Sequence, residues 1–498
     1  MIPSRYLGLP PMVSCFPPAV LLALALCLGM PSRKSAGSEF QLLKQFTTAE
    51  GAHPFSEPVL GTDGMLYGTT VTGNSSTDHD TIYKINTDGT GFTVLMNFDS
   101  PTTGGNCWGG LLSGSDGVLY GTTFTGGAGG TGTVFKVNED GTDFTVLKDF
   151  DAATTGGRPY ARLLEVDNKV LYGTTYLGGN GNAGTVFKLN RDGSDFAVLK
   201  HFDDTTTGGH PVAGLILGPD GALYGMAYFG GSFAYGTIFR LETTGTFTIL
   251  KHLDQSTGTY PQARLLSGTD GALYGVTYGG GSYDVGTLFT IAPDGTGFTV
   301  LKNLRSSADG ASPLAGLIEG DGGKLYGTTF GGGRYGWGTV FEMNSDGSGY
   351  RVLKRLNYTV TGGAIYAGLI RSNGALYGAA AYGGDGDEFG TLFRLVPAPN
   401  LAPTAIAGAD QTLVFVGEIV TLDGTFSNDP DDDDLTYAWT LGDIPRGSGA
   451  ELTGPETAHP TLRPDTSGDY TVVLTVTDSL GAQSHKPATV TITAIDPE

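Results

Sequence analysis

Cysteine is nearly absent from this chain. Of its 3 cysteines, Cys15 and Cys27 lie in the first thirty residues, and only Cys107 remains in the body of the sequence. An intrachain disulfide framework is therefore excluded there. Positive charge is also scarce: 28 Lys+Arg stand against 50 Asp+Glu, for a net charge of −22. So acidic a chain does not track nucleic-acid phosphates, which requires a basic excess. Long apolar runs are missing. Residues 19–29 (AVLLALALCLG) form a stretch of 11, where a membrane span takes about 20. That stretch suits a secretory signal within a leader over residues 1–39, with Leu26 before Cys27 arguing against a lipoprotein signal. No H-E-x-x-H, G-x-S-x-G or zinc-spaced Cys/His cluster occurs, and the 7 histidines are scattered. The 82 glycines show no three-residue period, which excludes collagen.

Repetition is what the sequence has in abundance. Leu-Tyr-Gly recurs with its tyrosine at Tyr67, Tyr120, Tyr172, Tyr224, Tyr274, Tyr326 and Tyr377, at intervals of 50–53 residues. Each copy runs through a Gly-Gly pair, a Gly-Thr-Val-Phe-like segment, an Asn-x-Asp-Gly turn and a Phe-Thr-Val-Leu-Lys-like segment. A Pro-x-Ala-x-Leu segment then leads into the next copy. No helical period is present, and the β-branched and aromatic runs between turn residues read as four short strands per unit. Four strands in about 50 residues define a propeller blade, and seven copies predict seven blades over residues 40–397. The alanines Ala161, Ala213, Ala263, Ala315 and Ala367 place the Pro-x-Ala strand innermost, where crowding at the axis favours small side chains. The last copy ends after its third strand. Residues 40–46 (FQLLKQF) supply the missing outer strand, so the seventh blade closes from both ends and leaves no open edge.

The pattern LYGTT-x-x-GG…GTVFK-x-N-x-DGT-x-FTVLK resembles the tandem-repeat GloVer proteins, called choice-of-anchor proteins in bacterial genomes. The resemblance covers roughly residues 40–397. It implies a secreted or cell-surface protein and transfers no catalytic residues.

Composition shifts at Pro397-Ala398-Pro399-Asn400. Residues 401–498 hold 16 Asp+Glu and only 3 Lys+Arg. Short alternating segments at 411–416, 419–423, 435–441, 470–477 and 488–493 predict an immunoglobulin-like β-sandwich over 398–498, with Trp439 as its buried anchor. The stretch Trp439-Thr440-Leu441-Gly442-Asp443 resembles the PKD core Trp-x-Phe-Gly-Asp-Gly, with Ile444 at the final glycine, and YTVVLTVTD at 470–478 matches the closing motif. This resemblance implies a spacer or adhesion role.

Loop lengths separate the two faces of the disc. The Gly-x-Asp-Gly and Asn-x-Asp-Gly-Thr turns are short and uniform, whereas the opposite face carries longer loops that differ between blades. Positions that keep the repeat pattern are explained by folding, and those that break it are free for function. One pattern-breaking set follows the Gly-Gly pairs: Phe233, Tyr235, Tyr283, Tyr335, Trp337 and Phe389. A second set begins the inner strands at the channel mouth: His53, Asn106, Arg158, His210, Tyr260 and Ser312. Aromatics beside hydrogen-bonding groups suit stacking on sugar rings. The competing reading folds these aromatics back over blade junctions. Strand direction also puts both ends of the propeller on the short-turn face, which predicts a C-terminal module hanging behind the disc.

Three G-x-G-x-x-G matches, at 127–132, 179–184 and 331–336, precede strands rather than helices and read as blade turns, not nucleotide sites. The acidic run Asp429, Asp431, Asp432, Asp433 and Asp434 offers the oxygen ligands that calcium takes; its alternative is a solvated charged turn. The sequence as a whole predicts a secreted or cell-surface, non-enzymatic binding or adhesion protein. Its partner is extracellular polysaccharide or a surface protein, with no nucleic acid and no membrane span. Two alternatives stay open. One is a glycan-cleaving lyase or hydrolase using His53, His210, Arg158 and a carboxylate such as Asp203. The other is a purely structural surface protein.

Overall fold

The computed structural model describes residues 38–71, 80–384, 388–431, 433–478 and 480–497. Most of the leader, with Cys15 and Cys27, lies outside the described residues, as does Asp432. The repeats form seven four-stranded antiparallel sheets arranged as a propeller. In the third blade, Leu164–Val166, Val170–Thr175, Thr185–Asn190 and Ala197–His201 follow one another from axis to rim. The ring closes through Glu39–Gln45, which pairs antiparallel with Thr391–Val396, from Glu39 opposite Val396 to Gln45 opposite Thr391.

The Leu-Tyr-Gly motif is explained by packing. The third-strand aromatic lies across the glycine of the neighbouring strand, so that a Cβ on Gly275 would sit 2.3 Å from Phe289. The tyrosine reaches back to the hairpin, and in four blades its hydroxyl donates to the turn aspartate, as Tyr120 does to Asp116 at 2.8 Å. Paired buried threonines tie the second strand to the third on the long-loop side, as at Thr175 and Thr185, 2.9 Å apart. The turn aspartates Asp88, Asp140, Asp192, Asp294 and Asp346 each accept from a Thr or Ser two residues on, which makes these segments turns and not metal loops.

Blade junctions are built from aromatics. Outer-strand lysines lie over the ring that opens the next blade's outer strand: Lys44 over Phe92, Lys148 over Phe196, Lys200 over Phe247, Lys251 over Phe298, Lys302 over Tyr350 and Lys354 over Phe40. Met96 stands at the corresponding place before Phe144.

The C-terminal module is a two-sheet sandwich. One sheet is ordered Gln411–Phe415, Ala488–Ile495, Gly468–Thr477, Thr436–Leu441; the other is Val420–Thr421, Thr461–Leu462, Leu452–Thr453. Trp439 is buried among Tyr470, Val472, Leu474, Val490 and Ile492, and its indole N–H donates to the Thr457 carbonyl at 3.0 Å. The pairing of Glu39 with Val396 brings both ends of the propeller to the short-turn face. The module does not hang behind that face, however; it lies along the rim of the sixth blade. There the outer strand Arg351–Arg355 is mostly buried, whereas the same strand of the third blade is half-exposed throughout. Arg351 donates to the Ala398 carbonyl, and Arg355 faces Asp433 at 4.0 Å and Asp434 at 3.7 Å. The reason is local: Arg355 meets the module's acidic loop, while Arg351, paired with Glu342 of its own blade, holds the linker carbonyl.

Candidate functional site

The inner strands build the central channel from three layers. The segment leading into each inner strand begins at a residue with positive φ: His53, Asn106, Arg158, His210, Tyr260, Ser312 and Ala364, all between 54° and 58°. This left-handed kink is uncommon for residues with a Cβ. It is fixed here by a hydrogen bond from the backbone N–H to the preceding blade's loop, as from Tyr260 to the Tyr235 carbonyl at 2.9 Å. Two residues on, side chains turn into the bore: Phe55, Trp108, Tyr160, Val212, Gln262, Leu314 and Tyr366. Two residues further, Glu57, Arg162 and Arg264 alternate with glycines around the same ring. These layers bound a cavity of about 110 Å³.

The charged layer is a floor. Arg162 donates to Glu57 at 2.8 Å, and Arg264 stands 3.3 Å from the same oxygen. The glycines make room for it, since a Cβ on Gly368 would meet Glu57 at 2.1 Å. Burial alone would raise the Glu57 carboxyl, but Arg264 and Arg162 outweigh it and hold it below its ordinary range. Two guanidinium groups against one carboxylate leave the floor positive.

The mouth above it is aromatic. Phe55 meets Tyr366 edge-on at 4.8 Å, and Trp108 lies 4.5 Å from Phe124 and 5.1 Å from Tyr160. Phe330 packs at 4.9 Å on Tyr366, and Tyr228 at 5.4 Å on Tyr260. All of these rings are half-buried, so each keeps part of its surface open. Burial pushes the Tyr160 hydroxyl up to about 12, so it remains a hydrogen-bond donor at neutral pH.

The sequence-derived mouth residues sit in this wall. The His53 ring nitrogen Nδ1 donates to the Ala381 carbonyl and that of His210 to the Tyr176 carbonyl, both at 3.0 Å. Arg158 lies over Phe124, and Tyr260 is ringed by Tyr228, Phe229 and Tyr235. His210 is partnered by Asp204 at 3.5 Å rather than by Asp203, which caps its own turn through Thr205 and Thr206. The six loop aromatics divide. Phe233, Tyr283, Tyr335 and Trp337 stand exposed. Tyr235 and Phe389 pack against core clusters, and Trp337, though exposed, keeps one side 4.4 Å from Tyr358. Sequence reasoning missed the inner ring and its floor. The signal was the variable middle position of the Pro-x-Ala segments, at Tyr160, Val212, Gln262 and Leu314, with its counterparts Phe55, Trp108 and Tyr366 where that motif is broken, together with the charges two residues beyond it.

The acidic run lies elsewhere, at the junction of module and propeller. Asp429, Asp431 and Asp433 converge, whereas Asp434 is largely exposed and turns to Arg355. Burial, with Asp429 close by, pushes the Asp433 carboxyl up to about 7.

Fold and mouth together define an all-β repeat protein, a seven-bladed propeller followed by a PKD-type sandwich. Residues 32–218, 81–281 and 211–426 match the Gloeobacter/Verrucomicrobia repeat, and residues 400–494 match the PKD domain. The chain belongs to the Gloeobacter/Verrucomicrobia repeat family. Among curated proteins, the mouse dyslexia-associated protein KIAA0319-like protein is 35% identical over 95 residues, 19% of this chain and 9% of that protein. Human dyslexia-associated protein KIAA0319 matches at 35% over 95 residues as well. The chain thus spans less than a tenth of the length of these relatives. Among solved structures, the extracellular domain of a hybrid two-component system from B. thetaiotaomicron shares the fold. Its TM-score is 0.60 at 12% identity, covering 92% of this chain and 57% of that one. Among the described residues, no helix is long and apolar enough to cross a membrane.

Proposed function

We infer that this is a secreted or cell-surface binding protein, without catalysis of its own, that presents the channel mouth to extracellular polysaccharide. The observation that carries this reading is the funnel of half-buried rings, Phe55, Trp108, Tyr160 and Tyr366, above the Glu57–Arg162–Arg264 floor. Sugar rings offer apolar C–H faces that stack on aromatics and hydroxyls that need hydrogen-bond partners, and the mouth supplies both. The rings already hold one another in place, so little side-chain freedom is lost when a ligand enters. Phe233, Tyr283 and Tyr335 extend the same face outward, where a longer chain would run.

A glycan array probed with the full chain tests this. Binding to one class of polysaccharide is expected, weakened at least tenfold by Trp108→Ala or Tyr160→Ala. Absence of any sugar binding, or binding indifferent to both substitutions, would overturn the carbohydrate reading. Cleavage of a bound glycan that His210→Ala abolishes would transfer the site to the enzymatic alternative.

A further inference from the structure

We propose that the sugar unit entering the channel is acidic, and that its carboxylate comes to rest on the guanidinium groups of Arg162 and Arg264. This rests on the sugar-binding reading and deepens it, naming the class of sugar and the residues that select it.

The floor breaks the repeat. At this position four blades carry Gly110, Gly214, Gly316 and Gly368, whereas the first, third and fifth carry Glu57, Arg162 and Arg264. The glycines clear the way for long side chains, since a Cβ on Gly316 would stand 2.9 Å from Cγ of Arg264. Coming from alternate blades, the three charged groups meet across the bore. Both arginines approach the same oxygen, Glu57 Oε1, Arg162 at 2.8 Å and Arg264 at 3.3 Å. Among the described residues, Glu57 is the one acceptor that either guanidinium meets. Each guanidinium carries five N–H donors, so most of them are left to solvent or a ligand. Side-chain exposures of 20% and 34% keep both arginines reachable from the cavity that they line.

The channel is a positive spot on an acidic chain. Arg158 adds a third guanidinium at the mouth, over Phe124, while Asp204 at the same rim is matched by His210 at 3.5 Å. Low-dielectric aromatic walls focus this field along the bore. A neutral sugar seated there would strip water from two guanidinium groups that share a single carboxylate, and an uncompensated buried charge is costly. A ligand carboxylate removes that cost. It also matches the planar guanidinium fork and forms charge-assisted hydrogen bonds about twice as strong as neutral ones. The ring layer and the floor lie two residues apart along the strands, about 7 Å. A sugar stacked on Trp108 or Tyr160 therefore brings a ring substituent within reach of the floor. Because the floor crosses the bore, the acidic unit belongs to a chain end or a side branch.

Trisaccharides of galacturonate, glucuronate and mannuronate test this by calorimetric titration into the full chain. Each is compared with its carboxyl-reduced neutral form and with that neutral form sulfated at the same carbon. At least one uronate should bind at least tenfold tighter than both of its counterparts, and added salt should weaken it. Arg264→Gln should shrink that preference at least fivefold; Glu57 keeps its bond from Arg162 in this variant, so the melting temperature should hold. Glu57→Gln should instead widen the preference at least threefold, because it removes the carboxylate with which the ligand competes. A purely structural ion pair would make both variants weaken every sugar alike, and that result would overturn the proposal. So would tighter binding of a sulfated form than of its uronate. Uronates and neutral forms that bind equally, with Trp108→Ala still weakening both, would overturn the acidic assignment and leave the sugar reading standing. A chain that binds none of these probes and nothing on the glycan array loses both.

Discussion

His210 shows how a single residue of the mouth is tuned. Burial opposes its charging, yet Asp204 and the Tyr176 carbonyl outweigh burial and raise it above its ordinary 6.5. The charged imidazolium is therefore favoured in the folded chain. Its contribution to stability is complete below 6.5 and is lost as pH rises through the higher folded value. Asp204→Asn leaves burial unopposed by charge, so the pKa of His210 should fall. The titration of its ring proton by NMR, compared between the two chains, checks this; an unchanged midpoint would mean that Asp204 does not hold the proton. The same residue shows the limit of reading position alone. A histidine at the channel mouth was legible because it breaks the repeat, but its carboxylate partner was not. Asp203 and Asp204 are adjacent in sequence, and only the turn geometry assigns one to the Thr205 and Thr206 cap and the other to the histidine.

At the scale of elements, the blade was almost fully legible. A repeat of about 50 residues states its strands seven times over, so local ambiguity averages away, and the spare segment at 40–46 specifies how the ring closes. What repetition hides is the chemistry between blades. Lysine and phenylalanine in Phe-Thr-Val-Leu-Lys look like an edge strand with a solvated charge. They are instead the two halves of a cation–aromatic contact across six of the seven junctions, Lys200 lying 4.5 Å from the ring of Phe247. The first blade departs from this with Met96, beside Phe144 of the next blade. Met96→Lys should therefore stabilise the propeller by about 0.5 kcal/mol, the size of such a contact at a partly exposed site. Denaturant unfolding measures it, and the gain should vanish when Phe144→Leu is added. A gain that persists in the double variant would trace to charge alone.

The whole molecule is set by departures confined to one blade. Most third strands carry lysine or arginine four residues in, such as Lys136, Lys188, Arg240 and Arg394, whereas the sixth has Glu342. Its outer strand has Arg351 where others have Thr93, Thr145 or Thr299. These residues pair at 3.1 Å with both side chains buried, Lys324 joins at 3.0 Å, and Arg351 goes on to the linker carbonyl of Ala398. The same rule that marked the mouth, that pattern-breakers are free for function, marks this docking surface. It went unread because strand direction fixes where a chain leaves a disc but not where the next domain comes to rest. Breaking a buried ion pair by removing one partner costs about 3–5 kcal/mol, since the other charge stays buried. Glu342 keeps Lys324, so Arg351→Met should fall at the lower end of that range. The loss should be spent on undocking rather than unfolding, because the propeller core does not pass through Arg351. Small-angle scattering should then show a larger radius of gyration for Arg351→Met with the propeller's thermal transition unmoved. If the radius stays the same while that transition falls, the pair supports the sixth blade itself and the module is held by the contacts at Arg355.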